Sequence, residues 1–191
     1  ECHDPAWLTT LNSYYAVENS QLEFVRQTIE RYKNVPEIST WQVENEPFLA
    51  VFGECPKPDS NLLQSEIKLV RTLDKRPVLI TDSGELNSWQ KAAGYPDIFG
   101  TTLYRIVWNK YFGYWDYFFM PPAYYRLKAD LTMILHPNLT DIIVTEFQME
   151  PWALGKPMIQ MRLADQQKSF NLGRFEANIS YAKKIGFNRV Y

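Results

Sequence analysis

Apolar residues recur at helical spacing near the start of the chain. Leu22, Val25, Ile29 and Tyr32 fall on one face and predict a helix from about Glu18 to Lys33, which Asn34 and Pro36 stop. Ile38 to Glu44 predicts a strand running into Asn45-Glu46-Pro47. A second helix is predicted from Ser60, with Leu63, Ile67 and Val70 on one side. Pro77 to Asp82 is a short apolar run of the kind a strand buried on both sides needs. Asn87 to Ala93 predicts a short helix, Asp97 to Tyr104 a strand, Pro121 to Leu135 a helix and Asp141 to Glu146 a strand. Gln166 to Ile185 predicts one long helix ending at Gly186, and Arg189 to Tyr191 the start of a fifth strand.

Strands alternating with helices imply parallel β/α units. An open doubly wound sheet and a closed barrel both fit that rhythm. The glycine-rich dinucleotide turn is missing from the sequence. Polar residues gather instead at the C-terminal strand ends: Asn45 and Glu46, Asp82 and Glu85, Tyr104, Glu146 and Gln148. Such positions face the active-site mouth of a barrel, so the expected class is an α/β (β/α)8 TIM barrel.

Composition narrows the function. The chain has 191 residues, 46% hydrophobic, with net charge -2, which fits one domain. No basic block appears, so nucleic acid is not an expected partner. No stretch is long and apolar enough to span a membrane. The two histidines and two cysteines are scattered, so no metal site is expected. Aromatic residues make up 15% of the chain and suit either a rich core or a surface that stacks on sugar rings.

Two carboxyl groups at strand ends fit the chemistry of glycoside hydrolysis, in which one must hold a proton while the other is ionised. Trp41-Gln-Val-Glu-Asn-Glu-Pro47 resembles the fourth-strand signature of the clan A glycoside hydrolases, whose Asn-Glu pair carries the acid/base. Thr145-Glu-Phe-Gln-Met-Glu-Pro-Trp152 resembles their seventh-strand signature, whose glutamate is the nucleophile. Two predicted strands lie between, as fifth and sixth strands require. The chain thus resembles a family-5-like cellulase or β-glycosidase. The resemblance implies Glu46 as acid/base, Glu146 as nucleophile, Asn45 on the hydroxyl beside the reacting carbon, and Tyr104 hydrogen-bonded to the nucleophile. Thr102-Leu103-Tyr104 departs from the His-x-Tyr common in such enzymes. Glu44 is expected in a lower layer and Glu150 in the loop beyond the strand.

Retention of configuration would place the two carboxyls about 5–5.5 Å apart. At that distance one proton is retained near neutral pH, expected on Glu46. The dense aromatic segment from Trp108 to Tyr125 is expected near the site, with Trp108, Trp115 and above all Trp152 as sugar platforms. Asp82, Gln148 and His3 complete the expected substrate contacts, although His3 could equally be a loop residue. The expected partner is a β-linked oligo- or polysaccharide, β-glucan or cellulose-like, with no cofactor. Alternatives are a non-catalytic carbohydrate-binding barrel and an aldolase-like barrel; the latter would want a strand-end lysine, which the pattern lacks.

The resemblance sets Cys2 and Cys55 in neighbouring loops. Free thiols fit, and so does a disulfide, the preferred expectation, which would imply an extracytoplasmic setting. A full barrel takes roughly 250 residues. The chain is therefore expected to be a partial catalytic domain spanning 1–191, holding strands four to eight, with strands one to three supplied by a longer parent.

Overall fold

The computed structural model describes residues 5–11, 13–51, 55, 57–109, 111–153 and 157–191. After a 3-10 turn at Ala6–Thr10 come α1 (Tyr14–Tyr32), β1 (Trp41–Glu44), α2 (Ser60–Leu73), β2 (Val78–Asp82) and β3 (Ile98–Leu103). Then follow β4 (Ile106–Asn109), β5 (Gly113–Asp116), α3 (Pro122–Leu135), β6 (Asp141–Phe147), α4 (Leu163–Gln166) and α5 (Leu172–Ile185).

Local chemistry sets the helix ends. Ser13 caps α1 by accepting from the Ala16 N–H, and Asp59 caps α2 by accepting from Asn61 and Leu62. Asn171 caps α5 by accepting from Arg174, and Gly186 ends it at φ 85°. The cap at Asn171 divides the single helix expected over 166–185 into α4 and α5. The turn expected to be helical at 87–93 contracts to a 3-10 turn at Ala92–Gly94.

The four parallel strands run in the order β1-β2-β3-β6, and Val190 adds a single parallel bridge to Val144. One face packs Val78, Ile80, Phe99, Ile142 and Val144 against residues from α1, α2, α3 and α5. Burying each such aliphatic side chain contributes on the order of 1.5–3 kcal/mol. The other face carries a small cluster of Leu79, Ile98 and Ile143.

This arrangement corrects the expected (β/α)8 TIM barrel. Among the described residues the sheet is open, and a separate antiparallel pair, β4-β5, occupies the segment after β3. A barrel exists only where its first and last strands pair with each other. Neither β/α alternation nor apolar runs encode that pairing, so sequence pattern could not separate the two architectures. The hairpin was missed because its turn region lies in a run of aromatics without regular alternation.

Gly100 lies where β3 is sandwiched between threonines. A Cβ there would sit 2.7 Å from the Thr145 methyl and 2.8 Å from that of Thr81. Gly100→Ala is expected to destabilise the fold by about 1–3 kcal/mol through overpacking. Urea unfolding checks this; an unchanged midpoint would mean the two threonines yield freely.

Candidate active site

The C-terminal ends of the parallel strands gather the acidic residues. On β1 the register against β2 slips by one residue between Gln42 and Glu44, a bulge just before the Asn45-Glu46 turn. Glu46 itself has φ 48°, in the left-handed region that costs a residue with a Cβ. Thr81 of β2 holds the turn in place. Its hydroxyl accepts from the Glu46 N–H at 2.9 Å and donates to Asn45 Oδ1 at 2.8 Å. Gln42 also donates to Asn45 Oδ1, at 3.1 Å.

A second bulge stands on β6. Thr101 pairs with Val144 and Thr102 with Glu146, so Thr145 is the extra residue. Extra residues of this kind re-aim the side chains that follow. The Tyr104 hydroxyl donates to Glu146 Oε2 at 3.1 Å. The Trp152 ring meets Tyr104 edge-on, with centroids 5.7 Å apart, and the Trp152 backbone N–H donates to the Ser169 hydroxyl. Burial, followed by the Glu146 charge, raises the Tyr104 phenol, which stays a hydroxyl donor.

Glu46 is half-buried, and its carboxyl is pushed up to about 7. Loss of water is the main cause, followed by the negative charges of Glu146, Asp82 and Glu85. The direction of the shift favours the protonated form of Glu46. Asp82 is buried and also raised by desolvation, with Asn87 and the Ser83 N–H donating to it. Lys128 of α3 reaches the same region, donating to the Gly84 carbonyl at 2.8 Å above the Trp89 ring. Burial lowers it to about 8, against the pull of Glu85 and Asp82.

Gln148 is buried, and its side-chain amide is taken up by backbone. Oε1 accepts from the Arg105 and Ile106 N–H groups at 2.8 and 2.9 Å, and Nε2 donates to the Ile106 carbonyl. It clamps the start of the hairpin onto the strand end. Cross-strand partners share a face, so Trp108 lies with Tyr114 on one side of the hairpin and Trp115 with Val107 on the other. The two tryptophans cannot line one groove. Trp108 shares its side with buried Ile106 and with Asp116, which pairs with Arg174 of α5. Trp115 stands among Phe112 and Phe119.

A cleft of about 820 Å³ reaches Asn45 and Glu46 from between α1 and α2, where Tyr14, Gln21, Asp59 and Glu66 line it. Glu146, Tyr104 and Trp152 lie outside that lining. Glu150 is exposed beyond β6. His3 and Cys2 lie outside the described residues. Cys55 is disulfide-bonded. Among the described residues no group of three or more His, Cys, Asp and Glu is placed to hold a metal ion.

Three residues escaped the sequence. Thr81 stood in an apolar strand, where a hydroxyl was the available signal. Lys128 and Tyr125 stand on a helix, three residues apart, and only the packing of α3 brings them to the strand ends.

No family model matches the sequence, and no curated protein matches it. Solved structures similar in fold include a GH2 β-galacturonidase from Eisenbergiella tayi bound to galacturonate, at 14% identity and TM-score 0.56, over 92% of this chain and 29% of that one. A Ruminococcus gnavus β-glucuronidase aligns at 14% identity and TM-score 0.56, over 98% of this chain and 30% of that one. A β-glucuronidase from the same organism in complex with D-glucuronic acid aligns at 15% and 0.53, over 91% of this chain and 29% of that one. The chain thus spans less than a third of these glycoside hydrolases, and at this identity the likeness is one of fold.

The raised Glu46 carboxyl has a consequence for stability. Between its ordinary 4.5 and about 7 the folded state binds more protons than the unfolded chain, so stability falls as pH rises through that window. Glu46→Gln, which mimics the protonated form, should match the parent below pH 4.5 and exceed it increasingly towards pH 7. Thermal unfolding across pH checks this; a pH-independent difference would contradict the raised value.

Proposed function

We propose that this chain carries the catalytic carboxyl pair of a retaining β-glycoside hydrolase. The observation that carries the reading is the division of labour at one sheet end. Glu46 keeps a proton near neutral pH because it is desolvated beside negative charge. Glu146 accepts a hydrogen bond from Tyr104, which steadies it for attack.

In this mechanism a Glu146 oxygen attacks the anomeric carbon while Glu46 gives its proton to the departing glycosidic oxygen. A glycosyl ester forms on Glu146 and the aglycone leaves as an alcohol. Glu46, now a carboxylate, takes a proton from water as the water oxygen attacks the same carbon. The ester breaks, the sugar leaves with its original configuration, and Glu46 is protonated again. Two carboxyls and water balance the reaction, so it calls for no cofactor. Asn45 is assigned to the sugar hydroxyl beside the reacting carbon. Trp152, beside Tyr104, is assigned to a sugar face.

The similar structures act on uronides, whereas the motif resemblance favours a neutral β-glucan or cellulose-like glycan. Clustered carboxylates support the neutral substrate, since a uronate would bring further negative charge beside Glu46, Asp82, Glu85 and Glu146. Of the basic side chains nearby, Arg105 donates to the Tyr117 and Met120 carbonyls and Lys128 to that of Gly84. The Cys55 disulfide supports an extracytoplasmic setting.

Aryl β-glucoside, aryl β-glucuronide, β-glucan, mannan and xylan should be compared, with early product followed by proton NMR. Appearance of the β-anomer first is expected; the α-anomer first would mean inversion. Glu146→Ala should lower turnover by roughly 10³-fold or more. The parent's rate should decline above about pH 7 as Glu46 loses its proton, and Glu46→Ala should abolish that basic limb. A limb that survives the substitution would sink the assignment.

A further inference from the structure

Glu85 lies in the loop after β2 and is used by no step of the mechanism above, yet its carboxylate accepts four hydrogen bonds. Its Oε1 accepts from the Tyr104 N–H at 2.8 Å and the Tyr125 hydroxyl at 2.7 Å. Its Oε2 accepts from the Thr102 hydroxyl at 2.8 Å and the Ser83 hydroxyl at 3.4 Å. Four donors converging on one side chain fix its position relative to β3 and α3. The loop is pressed onto β3: the Gly84 N–H donates to Thr102 Oγ1, and a Cβ at Gly84 would fall 2.2 Å from the Thr102 carbonyl oxygen. The opposite wall is α3, which supplies Tyr125 and, three residues later, Lys128.

We propose that Glu85 is a positioning residue for the hydrolysis proposed above: its carboxylate fixes the end of β3 so that Tyr104 presents its hydroxyl to Glu146. Glu85 grips Tyr104 by the backbone N–H, and the far end of the same residue bonds the nucleophile. The hydroxyl's aim thus depends on a carboxylate that need not touch the substrate. The same charge acts on Glu46, together with those of Glu146 and Asp82, so it also helps the acid keep its proton. The titratable groups that feel Glu85 are Glu46 beyond β1, Tyr104 beyond β3, Tyr117 before α3, Tyr124, Tyr125 and Lys128 on α3, and Tyr181 on α5, with Asp82 of β2 acting on Lys128 as well. The inference rests on the hydrolase reading.

The test is a double-mutant cycle of Glu85→Gln and Tyr104→Phe. Glu85→Gln keeps the shape and removes the charge; Glu85→Ala is added where it folds, as judged by circular dichroism. Misplacing a catalytic contact by about 1 Å can cost up to ~10²-fold. We therefore expect kcat to fall about tenfold or more in Glu85→Gln with KM little changed, and the basic limb of the pH profile to move to lower pH. Tyr104→Phe should cost much less in the Glu85→Gln background than in the parent. Costs that simply multiply overturn the positioning role. A second cycle needs no turnover: carbon NMR of the Tyr104 ring should respond to Glu146→Gln in the parent and much less in Glu85→Gln. A response that persists undiminished overturns the proposal. A parent without hydrolytic activity but with that NMR coupling would sink the hydrolase reading and leave the link from Glu85 to Tyr104 standing.

Discussion

Carboxyl groups crowded at one end of a parallel sheet resist losing all their protons at once. Each ionisation is opposed by loss of water and by the charge of its neighbours. In this chain the opposition falls on Glu46, pushed up to about 7 by burial and by Glu146, Asp82 and Glu85. Much of the surrounding structure serves to keep that crowding in place. Thr81 ties Glu46 and Asn45 to β2, Tyr104 ties Glu146 to β3, and Glu85 ties Tyr104 to the loop after β2. The arrangement costs stability at neutral pH, as functional sites commonly do.

Backbone irregularity is concentrated where these side chains are aimed. Both strands that carry a proposed catalytic glutamate bulge just before it, at Gln42/Glu44 and beside Thr145. Glu46 adopts positive φ immediately ahead of Pro47. Such conformations persist only where neighbours enforce them, and the Thr81 hydroxyl is the enforcing group. The close approach of Gly100 to Thr81 and Thr145 belongs to the same design, since both threonines need room beside β3.

Much of the local structure was legible in the sequence. Leu63, Ile67 and Val70 gave α2 its buried face, and the strands predicted at 77–82, 97–104 and 141–146 became β2, β3 and β6. The β/α rhythm was misassigned to an incomplete (β/α)8 barrel, because the pairing between terminal strands that separates a barrel from an open sheet leaves no local trace. Trp108 and Trp115 were expected to serve one surface; strand alternation, invisible until β4 and β5 were paired, sets them on opposite faces. Gln148 was expected at the substrate, whereas its amide is spent on the backbone of Arg105 and Ile106. Glu46, Glu146 and Tyr104 could be singled out as candidates because each stands at a strand end, and residues there converge once the strands are parallel.

In the proposed mechanism Glu146 forms a covalent bond to the sugar while Glu46 manages the proton. Incubation with a mechanism-based fluoroglycoside, followed by proteolysis and mass spectrometry, tests it directly. A single glycosyl adduct is expected on the peptide containing Glu146, absent from Glu146→Ala. An adduct on Glu150 would contradict the assignment, and so would hydrolysis of substrate with no adduct at any residue.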